Sequence, residues 1–215
     1  MNTLHYLAIM AIPLLFAVTI HEAAHGYVAN YFGDPTAKLL GRLSLNPIKH
    51  IDPIGTIAVP AVLILMQAGF IFGWAKPVPI GYRNFKNPKR DMAITALAGP
   101  ISNLIMAIGW AILAKIFDIT EIDEAFSPAF QMGVYGVLIN LMLMSLNILP
   151  IPPLDGSRVI SAFLPYKVER AYNSLEPYGI IIIMLLALSG ILFKILYPMV
   201  MISAGFIFAL FGINA

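Results

Sequence analysis

The chain has no cysteine, which excludes disulfides and thiolate metal sites and leaves the redox compartment unread. Charge is scarce as well. Asp, Glu, Lys and Arg make up 11% of 215 residues, where ordinary soluble domains carry about 25%. The net charge of +2 is too small to point to a nucleic acid partner. From Met1 to Ile20 there is no Lys, Arg, Asp or Glu. A cleaved signal peptide wants a basic n-region, so this first apolar stretch is expected to be retained. No internal repeat and no low-complexity tract interrupts the chain.

Apolar residues are abundant, at 60% of the chain with a mean hydropathy of +0.85. The fold class implied is all-α and polytopic, with the lipid bilayer as its solvent. Five apolar zones stand out: Leu4 to about Phe32, Ile54 to Trp74, Met92 to Phe117, Gln131 to Leu149, and Tyr178 to Ile213. The last zone exceeds the about 20 residues of one span. An interruption around Lys194 to Pro198 predicts two helices there. The expectation is one integral-membrane domain over 1–215, with five to six membrane segments, a core over about 4–165 and a C-terminal helical pair over about 178–214.

The connections carry the orientation signal. Lys76 to Asp91 contains Lys76, Arg83, Lys86, Lys89 and Arg90 against Asp91 alone, which predicts a cytoplasmic loop. Asp118 to Phe130 carries Asp118, Glu121, Asp123 and Glu124 and no basic residue, which fits the outer side. The third zone then runs outward and the fourth inward.

Against this background, His21-Glu22-Ala23-Ala24-His25 sits where ionisable groups are costly. Insertion scales put an Asp at the centre of a span at about 2.5–3.5 kcal/mol, so such residues are functional candidates by default. H-E-x-x-H on a helix puts two imidazoles one turn apart on one face, spaced for one zinc ion. Glu22, beside them, is placed to act as general base toward water activated by the ion. Catalytic zinc usually takes three protein ligands. His5 lies about 24 Å along the helix from His21, and His50 and Asp52 sit in a loop where they are expected to fix its shape. Asp155 is the best-placed carboxylate. It ends an apolar helix within Asn147-Ile148-Leu149-Pro150-Ile151-Pro152-Pro153-Leu154-Asp155-Gly156, where three prolines force irregular backbone. Irregular backbone at membrane depth normally lines a cavity.

H-E-x-x-H in an N-terminal span, followed by N-x-x-P-x-x-x-L-D-G about 125 residues later, resembles the site-2 proteases. These are intramembrane zinc metalloproteases that cut helical membrane substrates. Ala98-Gly99-Pro100-Ile101-Ser102-Asn103 is similar to the A-G-P-x-x-N at the start of their middle core helix. The stretches Gly41 to Pro47, His50 to Gly55 and Gly73 to Pro79 resemble a compact bacterial and archaeal subgroup, and no region is long or polar enough for a PDZ or CBS domain. The resemblance implies one zinc ion per chain held by His21, His25 and Asp155, with Glu22 as catalytic base. It implies that Asn147 helps hold the substrate or polarise its carbonyl, and it makes Asn103 a candidate for the substrate cleft. It implies a transmembrane or membrane-associated peptide substrate and a multi-pass protein of a prokaryotic cell membrane. A homo-oligomer is left open.

If one metal joins His25 and Asp155, their two helices run in the same direction and an odd number of crossings separates them. The third zone supplies one. The zone from Ile54 to Trp74 is therefore expected to be re-entrant or partly inserted, with irregular loops on the cytoplasmic side and the site towards that side. The extended Ala75 to Ile80 stretch is a candidate edge for strand pairing with an unwound substrate. The rival from another class is a membrane metal-ion transporter using the same polar residues. A transporter more often shows repeated halves and ionisable residues spread across its spans, whereas here they converge on two helix ends.

Overall fold

The computed structural model describes residues 3–66, 73–120 and 128–213, with side chains from residue 9 and as far as residue 118 in the second stretch. Its helices are α1 Thr3–Tyr31, α2 Thr36–Leu39, α3 Val59–Leu65, α4 Pro88–Thr120, α5 Pro128–Ile148, α6 Asp155–Phe163, α7 Tyr166–Asn173, α8 Gly179–Leu188 and α9 Ile191–Phe211. Among the described residues there is no strand. Five helical stretches are long and apolar enough to cross a bilayer: Ile9–Tyr31, Pro88–Asp118, Pro128–Ile148, Tyr166–Leu188 and Ile191–Phe211. The protein is an all-α, multi-pass integral membrane protein.

The core is the packing of α1, α4 and α5. In lipid there is no hydrophobic drive between helices, so close approach of small residues has to supply the contact. The sequence provides them. A Cβ on Gly133 would come within 2.6 Å of the Ala114 methyl, and one on Gly136 within 2.4 Å of the Trp110 ring. Ala17, Ala107, Ala111 and Ala114 are fully buried, while Leu14, Leu15 and Phe16 of α1 are exposed, as lipid-facing side chains would be.

α9 closes the bundle antiparallel to α5. Its first half, Leu192 and Leu196, packs with Leu149 at the end of α5. Its second half, Val200, Ala204 and Ile207, packs with Ala107, Ala111 and Ala114 of α4 and with Phe130 at the start of α5. α8 lies at the end of the bundle that holds Leu149. Ile183 and Ala187 join the Leu149 cluster, and a Cβ on Gly179 would meet the Pro152 carbonyl at 1.9 Å. Tyr166–Leu188 is interrupted at residues 174–178, between α7 and α8. The break in the last apolar zone falls at Ser189 and Gly190, not at Lys194 to Pro198. Gly190 takes φ +74°, which only glycine adopts cheaply, and there the chain reverses. Pro198 sits inside α9.

The ends of the zone from Ile54 to Trp74 meet, as a re-entrant segment requires. Pro53–Leu65 spans about 20 Å at 1.5 Å per residue, short of the about 30 Å hydrocarbon core. The Trp74 N–H donates to the Gly55 carbonyl at 3.1 Å, and the Thr56 hydroxyl donates to the Trp74 carbonyl at 2.8 Å. Gly55 and Thr56 at one end of the segment thus lie beside Trp74 at the other. Asp52 starts it by accepting from the Ile54 and Gly55 N–H groups, and the buried His50 donates from Nε2 to the Ser44 carbonyl at 2.8 Å. Both residues fix the loop.

Asp34, fully buried after α1, ties the next turn to the loop that enters α4. It accepts from the Thr36 N–H and hydroxyl, the Gly81 N–H and the Asn84 amide. Burial pushes its carboxyl up, but those bonds outweigh burial and hold it below the usual carboxylate range. A lowered folded-state pKa contributes stability that is present above about pH 4 and lost as pH falls through the folded value. Asp34→Asn, with one acceptor oxygen for these donors, is expected to lose about 3 kcal/mol near neutral pH. The gap from the unaltered chain should narrow as the pH drops below 4, read by thermal unfolding in detergent.

Candidate metal centre

His21 and His25 lie on the inner face of α1, 7% and 6% exposed. Each imidazole is oriented through Nδ1. His25 Nδ1 donates to the backbone carbonyl of Thr95 at 2.8 Å, and His21 Nδ1 donates to Asn103 Oδ1 at 2.6 Å. With the protons on Nδ1, both Nε2 lone pairs point inward. Asp155 reaches them from the first residue of α6. The turn before α6 is forced by Pro150, Pro152 and Pro153. Gly156 is required by contact, since a Cβ there would sit 2.0 Å from the Ile148 carbonyl.

Three donor atoms converge as a result. The two Nε2 atoms are 3.1 Å apart, and Asp155 Oδ2 lies 3.2 Å from His21 Nε2 and 3.3 Å from His25 Nε2. A tetrahedral zinc with ligands at about 2.0–2.1 Å requires separations of about 3.3 Å. Asp155 Oδ2 is buried with no other hydrogen-bond partner. Electron-rich atoms held this close are stabilised by a divalent cation, and second-neighbour bonds to both imidazoles are the usual support of zinc ligands. Among the described residues this is the group of His, Asp and Glu able to hold a metal. The donor set fits zinc.

Glu22 is half-buried beside the centre, and its Oε2 accepts from the Val78 N–H at 2.7 Å. Both line a cavity of about 530 Å³ together with the three ligands and Asn147. Asn147 faces the cavity while its amide donates to the Leu143 carbonyl at 2.9 Å. The opposite wall comes from α6 and α7. Lys89 pairs with Glu169 at 2.6 Å, Arg158 pairs with Glu176, and the Ser161 hydroxyl donates to Asn173 at 3.0 Å.

One expectation changes. Asn103 does not reach the cleft. It is fully buried behind His21, where its Oδ1 accepts a hydrogen bond from the imidazole Nδ1–H. Its motif is also not at a helix start, because α4 begins at Pro88 and Pro100 lies in its interior. The Ala75 to Ile80 stretch forms no strand within the chain, and part of its backbone is already bonded. The Lys76 N–H donates to the His50 carbonyl at 2.9 Å, Arg42 donates to the carbonyls of Lys76 and Pro77, and Val78 serves Glu22.

The structure adds residues that sequence reasoning missed. Gly99 is the closest. A Cβ there would lie 2.4 Å from His25 Nε2 and 2.5 Å from His21 Cε1. The A-G-P motif carried that signal, but only as a family likeness. The Thr95 carbonyl and Val78 N–H are backbone groups, which leave no mark in a sequence.

No family model matches the chain, and no solved structure matches it. Curated relatives do. "Putative zinc metalloprotease YwhC" of Bacillus subtilis (strain 168) is 41% identical over 206 residues, covering 94% of this chain and 90% of the relative. "Putative zinc metalloprotease Rip2" of Mycolicibacterium smegmatis is 27% identical over 191 residues, 86% of this chain and 69% of the relative. "Zinc metalloprotease MJ0392" of Methanocaldococcus jannaschii is 28% identical over 167 residues, 78% of this chain and 38% of the relative. The motifs and this agreement along nearly the whole length lead to one family: the chain belongs to the compact site-2 protease family of zinc metalloproteases.

Proposed function

We propose that this zinc metalloprotease hydrolyses peptide bonds of transmembrane or membrane-associated substrates at a site near the cytoplasmic face of the membrane. The observation that carries the reading is the convergence of His21, His25 and Asp155, with Glu22 beside them, in a cavity walled by membrane helices. His21, His25 and Asp155 hold the zinc. When bound, zinc supplies Lewis-acid polarisation and lowers the pKa of water to about 7. Glu22 takes the proton from the attacking water and later gives it to the leaving amine. Asn147 donates a hydrogen bond to the scissile carbonyl from the cavity wall. Buried helical packing around the ligands restricts water to the cavity, so water and substrate meet there.

The cytoplasmic assignment rests on charge. Lys76, Arg83 and Lys86 lie on the loop at the site end of the bundle and Lys89 and Arg90 in the first turn of α4 beside it, and such residues gather inside. The membrane-metal-transport alternative has no observation in its favour.

The test is cleavage by the chain reconstituted in liposomes. It is expected to cut a labelled transmembrane peptide reconstituted with it far faster than casein added to the surrounding buffer. A preference for casein would reject the membrane-substrate reading. For orientation, cysteines placed at residues 2 and 86 should be labelled from opposite faces of cells, and labelling from one face would reject it.

A further inference from the structure

The two zinc-site histidines are oriented by different kinds of acceptor. His25 points its Nδ1–H at a backbone carbonyl, that of Thr95. A carbonyl can only accept, so the tautomer is set. His21 points its Nδ1–H at the side-chain amide of Asn103. A primary amide has an accepting end and a donating end, and a half-turn exchanges them. In the flipped position the amide would donate to His21 Nδ1. The imidazole proton would then sit on Nε2, which removes the lone pair that a metal needs.

We infer that Asn140 is a positioning residue for the metal centre, acting through Asn103 to hold His21 in its metal-binding tautomer. Asn103 Nδ2 donates to Asn140 Oδ1 at 2.9 Å, and at a longer 3.3 Å to the Ala17 carbonyl. Asn140 cannot itself turn freely, because its Nδ2 donates to the Gly136 carbonyl at 2.8 Å. A main-chain carbonyl therefore sets the direction of Asn140, Asn140 sets Asn103, and Asn103 sets His21. Asn103 and Asn140 are both 0% exposed, so no water competes for these bonds. If Asn103 flipped, its oxygen would face two oxygens, those of Ala17 and Asn140. Asn140 supplies the shorter of the two bonds that forbid this. The chain runs from α5 through α4 to α1, so the helix packing itself reaches the ligand.

This inference rests on His21 as a zinc ligand. Zinc content of the unaltered chain tests that reading separately, and a metal-free preparation that takes up no zinc would remove it. The relay is tested with Asn140→Ser, Asn140→Asp and Asn103→Leu in the full chain in detergent. Zinc affinity is read by chelator competition, and cobalt is substituted for its ligand-field spectrum. A serine can still bond the Gly136 carbonyl one turn back but is too short to reach Asn103. Neutral Asp reproduces both bonds of Asn140. The expected result is about a tenfold loss of zinc affinity in Asn140→Ser, near the lower end of the range for outer partners of metal ligands. The cobalt spectrum should change with it, and Asn140→Asp should restore both. In the Asn103→Leu background, Asn140→Ser should cause no further loss. A folded Asn140→Ser chain with unaltered zinc affinity and cobalt spectrum would overturn the inference. So would a loss that multiplies fully with that of Asn103→Leu, because Asn140 would then act by another route.

Discussion

Glu22→Gln is expected to lower peptide-bond cleavage by about 10²–10⁴-fold, the usual contribution of a positioned general base, while zinc content stays unchanged. The separation of the two effects follows from the geometry. The three donor atoms come from His21, His25 and Asp155. Glu22 projects beside them into the cavity, and the Val78 N–H holds one of its oxygens. Gln keeps the length and an accepting oxygen for that N–H, so the fold has no reason to change. It cannot take a proton from water at neutral pH. Zinc measured by elemental analysis, together with cleavage of a membrane peptide, checks the expectation. Cleavage by the variant at the unaltered rate would remove Glu22 from the mechanism.

The second large effect is expected from a single methyl group. Gly99→Ala places a Cβ 2.4 Å from His25 Nε2 and 2.5 Å from His21 Cε1. Neither imidazole can yield easily. Each is anchored through Nδ1, one to Thr95 and the other to Asn103. α4 cannot back away either, because it is locked against α5 by contacts such as Gly136 on Trp110. Zinc binding should therefore fall by two orders of magnitude or more, at the upper end of what loss of a supporting contact costs, and activity should fall with it. Gly109→Ala on the same helix is the control. A Cβ there meets nothing within 4 Å, so that variant should bind zinc normally. Normal zinc binding by Gly99→Ala would mean that the helices part more readily than their packing implies.

The two expectations bear on different parts of the site, and the sequence spoke unequally about them. The chemistry of Glu22 is local. H-E-x-x-H declares a helix, a face and a spacing within five residues, and the surrounding apolar run makes a chance occurrence costly. The zone from Ile54 to Trp74 was constrained by an indirect route: if His25 and Asp155 share a metal, no full crossing can lie between Ile54 and Trp74. The hydrogen bond between Trp74 and Gly55 brings the two ends of that zone together, as the expectation requires. Gly99 and Asn103 were visible only as parts of a motif. Their roles depend on which side of α4 faces α1, and nearly uniform apolarity around a membrane helix hides that. The break in the C-terminal zone was misplaced for a related reason. Lys194 and Pro198 looked like interruptions, yet a lysine is tolerated at a helix end and α9 continues through its proline. The turn is made by Gly190, whose left-handed backbone the side-chain pattern does not announce.

By itself the sequence determined the solvent and pointed to His21, His25, Asp155 and Glu22 as the candidate ligands and base. Composition dictates lipid burial, and ionisable residues are too costly there to be incidental. Only the tertiary structure decided how the ligands are held. The orientation of each imidazole depends on an acceptor 70 or 82 residues away. One of these is a main-chain carbonyl and the other is an amide steered by a further amide on a third helix. Hydrogen bonds of that kind exist only when α1, α4 and α5 are packed to within a side chain's reach, and small residues spread along the chain make that approach possible.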